Sequence, residues 1–539
     1  MARAAKNGNG RKFNTQQSLD GYIKSACDIM RRSNCAGALQ YVPELTWILF
    51  LRILDELEMQ EAEQAEAVGA SFTPSLQQPY RWHDWAAPES DDMFNIRDGL
   101  KQGWKRKELS FGKIVDGVEI GAELNDFPNF INNELLPHLK TLRDRPNVTS
   151  RQKVISEILS GVERTRIDTA KNLQDILDKI HEIRNENISD THIYTLSQVY
   201  EGLLLKMGEK GNDGGQFFTP RVVVRAMIQA IDPKIGETVY DAGCGTGGFL
   251  AQAYEHMAGK DLSNITNPDQ LEILKHQTFY GREKDNAIYP IALANLILHG
   301  IDEPHIWHGN TLTESPTYDG LFTNAPSQYD VALMNPPFGG KEGKEAQTNF
   351  NYKTSSTQVL FIQHVLKSLK PTGRCGIVLD EGILFRNNET AFVQTKVKLL
   401  DDADVWCIVS LPAGVFTSAG AGVKTNILFF TKGKSTESIW YYDLSDLKIN
   451  KKTPITLEHF EDFFKLLPTR ADSDRSWTVT REAIVAKNYD LKAVNPNAKT
   501  EEDTRTPKDL LEIIASKGKE VDQALALLTH LTQIENPEI

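Results

Sequence analysis

The period of the apolar positions changes along this chain, and the change divides it. From Asn14 to about Glu66 apolar residues recur at helical spacing, first Leu19, Ile23, Cys27 and Met30, then the denser face of Leu45, Ile48, Leu49, Ile53 and Leu54. The pattern predicts a second helix pair between Ser110 and Leu142. Between these, Val68 to Asp92 is rich in Pro, Gln, Trp and Asp and reads as a long irregular connection. Residues 1–164 are therefore expected to form an all-helical domain, a packing or docking module without chemistry of its own. Helical spacing continues from Thr165 to Met207, where Leu173, Ile176, Ile180 and Ile183 share a face.

After a Gly/Asp/Lys loop at Gly208 to Gly215 the texture changes. Short apolar runs read as strands at 238–241, 278–283, 306–310, 329–334, 375–379, 406–411 and 425–430, with Ser435 to Tyr442 as one more. Helices are predicted between them, at Arg221 to Ile231, from Gly248 through Met257, at Ala287 to His299 and at Gln358 to Leu369. Strands alternating with helices predict a doubly wound, mainly parallel α/β sheet over a domain spanning 165–475. Gly339 to Thr357 has no apolar period and reads as a mobile loop over the sheet's end. Residues 476–539 are expected to be a charged linker followed by an amphipathic helix. That helix starts at Thr506-Pro507-Lys508-Asp509 and carries Leu510, Ile513, Ile514, Val521, Leu525, Leu528 and Leu531 on one side. Such a stripe needs a cover, from this chain or from a partner's helices.

Composition narrows the picture. A chain of 539 residues that is 40% hydrophobic has material for several domains. Its longest apolar runs, Leu45 to Leu54 and Ile288 to Leu298, are broken by Arg52 and Asn295 and fall short of the ~20 residues of a membrane span. Met1 to Lys12 is basic with no apolar core behind it, neither signal peptide nor anchor, so the cytoplasm is the expected location. The 5 cysteines form no CxxC pair and no metal-ligand spacing, so neither a disulfide framework nor a metal is expected. A net charge of -13 does not suit a free-standing DNA binder, whose footprint is basic. Nucleic acid would have to be gripped locally or by a partner.

Two stretches carry candidate chemistry. Thr238 to Leu250 is a strand running into a glycine turn and a helix, with Asp241, Gly243, Gly245, Thr246, Gly247 and Gly248 placed to let backbone approach a ligand. By letter this turn also satisfies a dinucleotide fingerprint, and alone it leaves a nicotinamide or flavin cofactor open. Glu283, at a strand end, suits the two hydroxyls of a ribose, and its spacing from Gly248 exceeds that of dinucleotide folds. Asn310 ends the next strand, where it can meet a base edge. Upstream, Gln216-Phe217-Phe218-Thr219-Pro220-Arg221 predicts a helix start with Thr219 as N-cap and Pro220 as first helical residue, suited to a carboxylate.

The second stretch, Asn335-Pro336-Pro337-Phe338, stands where a buried strand leaves its sheet. If Asn335 and a proline carbonyl accept the two hydrogens of an exocyclic amine, the nitrogen moves towards tetrahedral geometry and its lone pair is freed. Prolines fix φ and remove donors, so carbonyls stay presented as acceptors. Phe338 offers a stacking face to a base swung out of a duplex. A sulfonium methyl held against the glycine turn would complete a displacement driven by positioning.

With these residues in hand the chain resembles the modification subunits of type I restriction-modification systems, adenine-N6 DNA methyltransferases of bacteria and archaea. The resemblance runs through Leu45 to Arg52, Gln216 to Arg221, the glycine turn, Glu283, Asn335 to Gly339, and Val423 to Asn426. It implies S-adenosylmethionine as cofactor, held by the stretches at Gln216 to Arg221 and Thr246 to Gly248 with Glu283, and a flipped adenine at Asn335 to Phe338. It also implies double-stranded DNA, a specificity subunit, a second modification subunit and restriction subunits as partners. Cys244 stands where relatives often have Ala. Competing readings are a methyltransferase acting on a protein glutamine or an RNA base, and a non-catalytic assembly module.

Overall fold

The computed structural model describes residues 16–33, 38–67, 69–87, 113–115, 118–120, 127–183, 219–316, 325–416, 424–450, 453–497 and 506–534. The chain forms two compact units, residues 1–494 and 495–539. The first unit opens with helices α1 (Gln16–Arg31) and α2 (Ala38–Ala67) and continues to α3 (Ser150–Ser160) and α4 (Ala170–His181). Helix α4 packs on α1 and α2. It is held there by Tyr22, which donates to the Lys179 carbonyl, and by the buried Arg52, which donates to the Ile183 carbonyl at 2.8 Å. The helical layer therefore includes α4, on the face of Leu173, Ile176, Ile180 and Ile183 that the apolar spacing after residue 164 marks out.

In the window between Ser110 and Leu142, where a helix pair is expected, Phe127 to Lys140 is helical, but Lys113–Val115 (β1) and Val118–Ile120 (β2) form an antiparallel hairpin. Alternating β-branched residues around an Asp-Gly pair are a hairpin signal stronger than the helical period. Val68 to Asp92 also contributes core, since Leu76, Trp82 and Trp85 are buried, the tryptophans around a short helix, Trp82–Trp85.

The sheet has the order β12-β11-β9-β10-β8-β7-β3-β4-β5-β6. Its strands are β3 (Val239–Asp241), β4 (Phe279–Glu283), β5 (His305–Asn310), β6 (Ser315–Pro316), β7 (Tyr329–Met334), β8 (Leu369–Asp380), β9 (Ala403–Ser410), β10 (Thr425–Lys432), β11 (Ser438–Asp443) and β12 (Ser476–Thr480). From β5 through β8 all neighbours run parallel, while β10 is antiparallel between β8 and β9, and β12 closes the far edge antiparallel. The last strand corrects the expected linker: Trp477 and Leu491 are buried, and Tyr441 donates to the Leu491 carbonyl at 2.9 Å.

Side-chain alternation along β7 shows why the sheet is buried on both faces. Val331 and Leu333 enter one core while Ala332 and Met334 enter the other. The first core holds α5 (Arg221–Ile231), α6 (Gly248–Ala258) and α8 (Tyr289–Leu298), with α7 (Pro268–His276) between the last two in the chain. The second holds α9 (Thr357–Ser368) and α10 (Thr390–Asp402). Helix α8 is apolar all round because it is sandwiched: one side meets the sheet, the other meets α2 and α3 of the helical layer. The chain winds outward from β3 through β4 and β5, then returns to β7 on the other side. The switch point therefore lies between the ends of β3 and β7, where open α/β sheets bind ligands.

The second unit contains α11 (Pro507–Ile534), whose apolar stripe includes the exposed Leu510, Ile514 and Val521. Among the described residues no helix is long and apolar enough to cross a membrane, and the four described cysteines are free and buried.

Candidate active site

A cavity of about 240 Å³ opens at the switch point. Into it face Thr219, Arg221, Asp241, Gly243, Gly245, Thr246, Gly248, Glu283, Asn310, Asn335 and Pro337, residues from five separate segments of sequence. Pro220, Gly247, Pro336 and Phe338 stand beside them in the chain without lining it. Gln216, Phe217 and Phe218 lie outside the described residues.

The turn after β3 is shaped by its glycines and by a carboxylate. Gly245 and Gly247 have φ of 53° and 78°, a left-handed backbone that a side chain would strain. A Cβ on Gly247 would also meet the Leu296 side chain at 3.2 Å, whereas one on Gly248 would meet nothing within 4 Å, so the helix start opens onto space for a ligand. Glu283 reaches across from β4, one oxygen accepting from the Gly245 N–H at 2.9 Å and the other from the Asp285 N–H at 2.8 Å. It fixes the turn first; the lone pairs left over are what a ribose could use. Asp241 accepts from Gly243 at 3.1 Å. Burial, the largest influence, lifts the Asp241 carboxyl to about 8 and that of Glu283 to about 7. From α8, Asn295 donates to the Thr246 carbonyl at 2.9 Å, tying the turn to the helix that carries the helical layer.

Helix α5 runs over the expected residues, Arg221–Ile231, but its cap differs from the expected one. Pro220 occupies the N-cap position and Thr219 makes no capping bond, because its hydroxyl is used elsewhere. Thr219 Oγ1 accepts from Asn335 Nδ2 at 3.1 Å. This bond sets the orientation of the Asn335 amide, and its Oδ1, buried, has no partner among the described residues. A buried acceptor left unpaired costs about 1–3 kcal/mol, so a donor from a ligand is accommodated favourably there. Pro336 is buried, and its carbonyl accepts from Gln358 Nε2 at 3.3 Å. Phe338, half-buried, meets Phe416 edge to face with ring centroids 5.3 Å apart.

Asn310 lines the cavity, but its Oδ1 already accepts from the Leu312 N–H at 3.0 Å, leaving its NH₂ as the free end. The stretch read as a mobile loop is pinned. The Glu342 N–H donates to the Ser355 carbonyl at 2.8 Å, Thr357 donates to the Glu342 carboxylate at 2.9 Å, and Asn349 donates to the Leu312 carbonyl at 3.0 Å. A short helix, Lys344–Thr348, lies inside it. Glu342, Thr357 and Phe361 thereby join the cavity wall, and nothing in their local spacing announces it.

Sheet order, glycine turn and the amide at the end of β7 define the class: a doubly wound methyltransferase with Asn-Pro-Pro-Phe where β7 leaves the sheet. The chain belongs to the N-6 DNA methylase family, whose model matches residues 191–505, and the model of the HsdM N-terminal domain matches residues 19–180. It is an adenine-specific DNA methyltransferase, the modification subunit of a type I restriction-modification system. It is 32% identical over 500 residues to the type I restriction enzyme EcoEI methylase subunit of Escherichia coli, covering 89% of this chain and 90% of that one. The crystal structure of a modification subunit from Vibrio vulnificus YJ016 superposes with a TM-score of 0.73 at 30% identity, over 92% of this chain and 99% of the other. A chain from a structure describing assembly and conformational transition of the type I R-M system gives a TM-score of 0.66 at 34% identity, over 97% and 100%.

Proposed function

We propose that the cavity binds S-adenosylmethionine and that Asn335 to Phe338 receives the target adenine, swung out of double-stranded DNA. The observation that carries this is the buried Oδ1 of Asn335, unpartnered among the described residues while its nitrogen is tied to Thr219. An acceptor held ready at a cavity wall suits an incoming amine. Asn335 Oδ1 takes one hydrogen of the N6 amine and a proline carbonyl of the motif takes the other, which draws the nitrogen's lone pair out of the ring. Phe338 supplies an aromatic face, braced by Phe416.

When bound, S-adenosylmethionine supplies a methyl carbon whose bond to a positively charged sulfur breaks, as the bond to N6 forms, to leave a neutral thioether. Gly248 keeps the helix start open to it, Asp241 and Glu283 provide acceptors, and Thr246, Gly247 and Asn310 complete the proposed cradle with the Gln216 to Arg221 run. The surplus proton on N6 goes to water, since neither an amide nor a peptide carbonyl is basic enough to keep it. Target choice is assigned to a specificity subunit, because a net charge of -13 does not suit a free-standing DNA binder, and α11 is its proposed contact. A second modification subunit and restriction subunits complete the proposed complex.

The test is methyl transfer from labelled S-adenosylmethionine to duplex DNA with the specificity subunit present. Asn335→Ala should lower kcat by about 100- to 1000-fold while calorimetry shows cofactor affinity within about twofold. Undiminished transfer would overturn the mechanism.

A further inference from the structure

Helix α9 places an amide directly behind the base site. Gln358, its second residue, is 1% exposed, and a buried amide is costly unless both of its ends are paired. Both are. Oε1 accepts from the Asp380 N–H at 3.2 Å, and Nε2 donates to the Pro336 carbonyl at 3.3 Å. The Asp380 N–H can only donate, so the amide cannot be flipped, and its donor end must face Pro336. One side chain thus bridges the last residue of β8 and the peptide that leaves β7.

That peptide has little else to hold it. Strand β7 ends at Met334, so Pro336 lies beyond the ladder, and neither Pro336 nor Pro337 has an N–H with which to anchor the turn. A peptide oxygen has two lone pairs, and Gln358 takes one. We infer that Gln358 is a positioning residue for methyl transfer: it aims the Pro336 carbonyl so that the remaining lone pair serves as the second acceptor of the adenine amine. This rests on the reading of Asn335 to Phe338 as the base site. Thr219 does the corresponding work for the first acceptor by holding the amide of Asn335. The two acceptors are then oriented from opposite sides, one by the segment before β3 and one by the helix after the pinned loop.

The experiment uses the modification subunit assembled with its specificity subunit, labelled S-adenosylmethionine and unmodified bacterial DNA. Gln358→Met keeps the volume and removes the donor; kcat should fall about 10- to 100-fold with cofactor KM within about twofold. Gln358→Glu keeps the acceptor for Asp380 and turns a carboxylate oxygen onto Pro336 at about pH 8, giving a comparable loss. Towards pH 6 the buried acid takes up a proton, its O–H replaces the lost donor, and kcat relative to the wild type at the same pH should recover several-fold. Wild-type kcat in Gln358→Met, or a Gln358→Glu deficit that does not change with pH, overturns the proposal. If Gln358→Met fails to fold, the pH ratio of Gln358→Glu decides alone. Asn335→Ala is run beside them: if it keeps full activity, the reading of the motif fails whatever Gln358 does.

Discussion

Thr219 shows how a residue's role depends on what reaches it. In the sequence it is a helix cap before a proline; in the fold its hydroxyl accepts from Asn335, 116 residues away. Thr219→Val keeps the shape and removes the acceptor, so kcat should drop about tenfold or more as the Asn335 amide loses its fixed orientation, measured by labelled methyl transfer. Glu283 makes a pH-dependent prediction. Burial raises its carboxyl from the ordinary 4.5 to about 7, so the neutral form is favoured in the folded chain. The stability this group contributes to the cofactor-free protein is fully present below pH 4.5 and is lost as pH rises through about 7. Cofactor binding has the opposite sign, because an ionised carboxylate is the better acceptor for a hydroxyl: affinity should rise through pH about 7 and flatten in Glu283→Gln, as read by calorimetry. The glycine turn, Glu283 and Asn335 to Phe338 stood out because each is one short local pattern, and the fold brings the turn, Glu283, Asn335 and Pro337 to one cavity. Thr219's bond, Gln358, Glu342 and Phe361 did not, since their roles exist only once distant segments meet.

At the scale of elements, strands were readable where the apolar run was long and buried on both faces, as in β7 and β10. The misses have a common cause: short elements whose burial comes from neighbours. Strand β12 alternates Trp477 and Val479 with polar residues over only a few positions, and it is fixed by pairing with β11. The Trp82–Trp85 turn is likewise made by its core partners. Helix α3 illustrates the reverse, a helix that docks through one polar residue as well as its apolar face. Arg151 binds Glu61 of α2 at 2.7 Å and Asp302, just beyond α8, at 2.6 Å, joining the helical layer to the sheet domain. Arg151→Ala leaves Asp302 with Lys275 alone, at 3.2 Å, and strips Glu61 of this partner; it should cost about 2 kcal/mol in a denaturant-melt comparison, with cofactor affinity unchanged in the material that remains folded.

At the scale of the molecule, division of labour follows from charge and topology. The catalytic unit, residues 1–494, holds every described residue of the cavity, while α11 lies in the other unit with Ile514, Val521 and Leu525 of its stripe exposed. Removing residues 495–539 should therefore leave cofactor affinity and the melting temperature of the catalytic unit unchanged and abolish DNA methylation in the presence of the specificity subunit. The central claim, that the Asn335 amide receives the N6 amine of adenine, is tested most directly by the nucleoside composition of DNA exposed to the assembled enzyme and S-adenosylmethionine. The account predicts N6-methyldeoxyadenosine with the wild type and its near absence with Asn335→Ala at equal cofactor occupancy. Methylated adenine at wild-type levels from Asn335→Ala would contradict it.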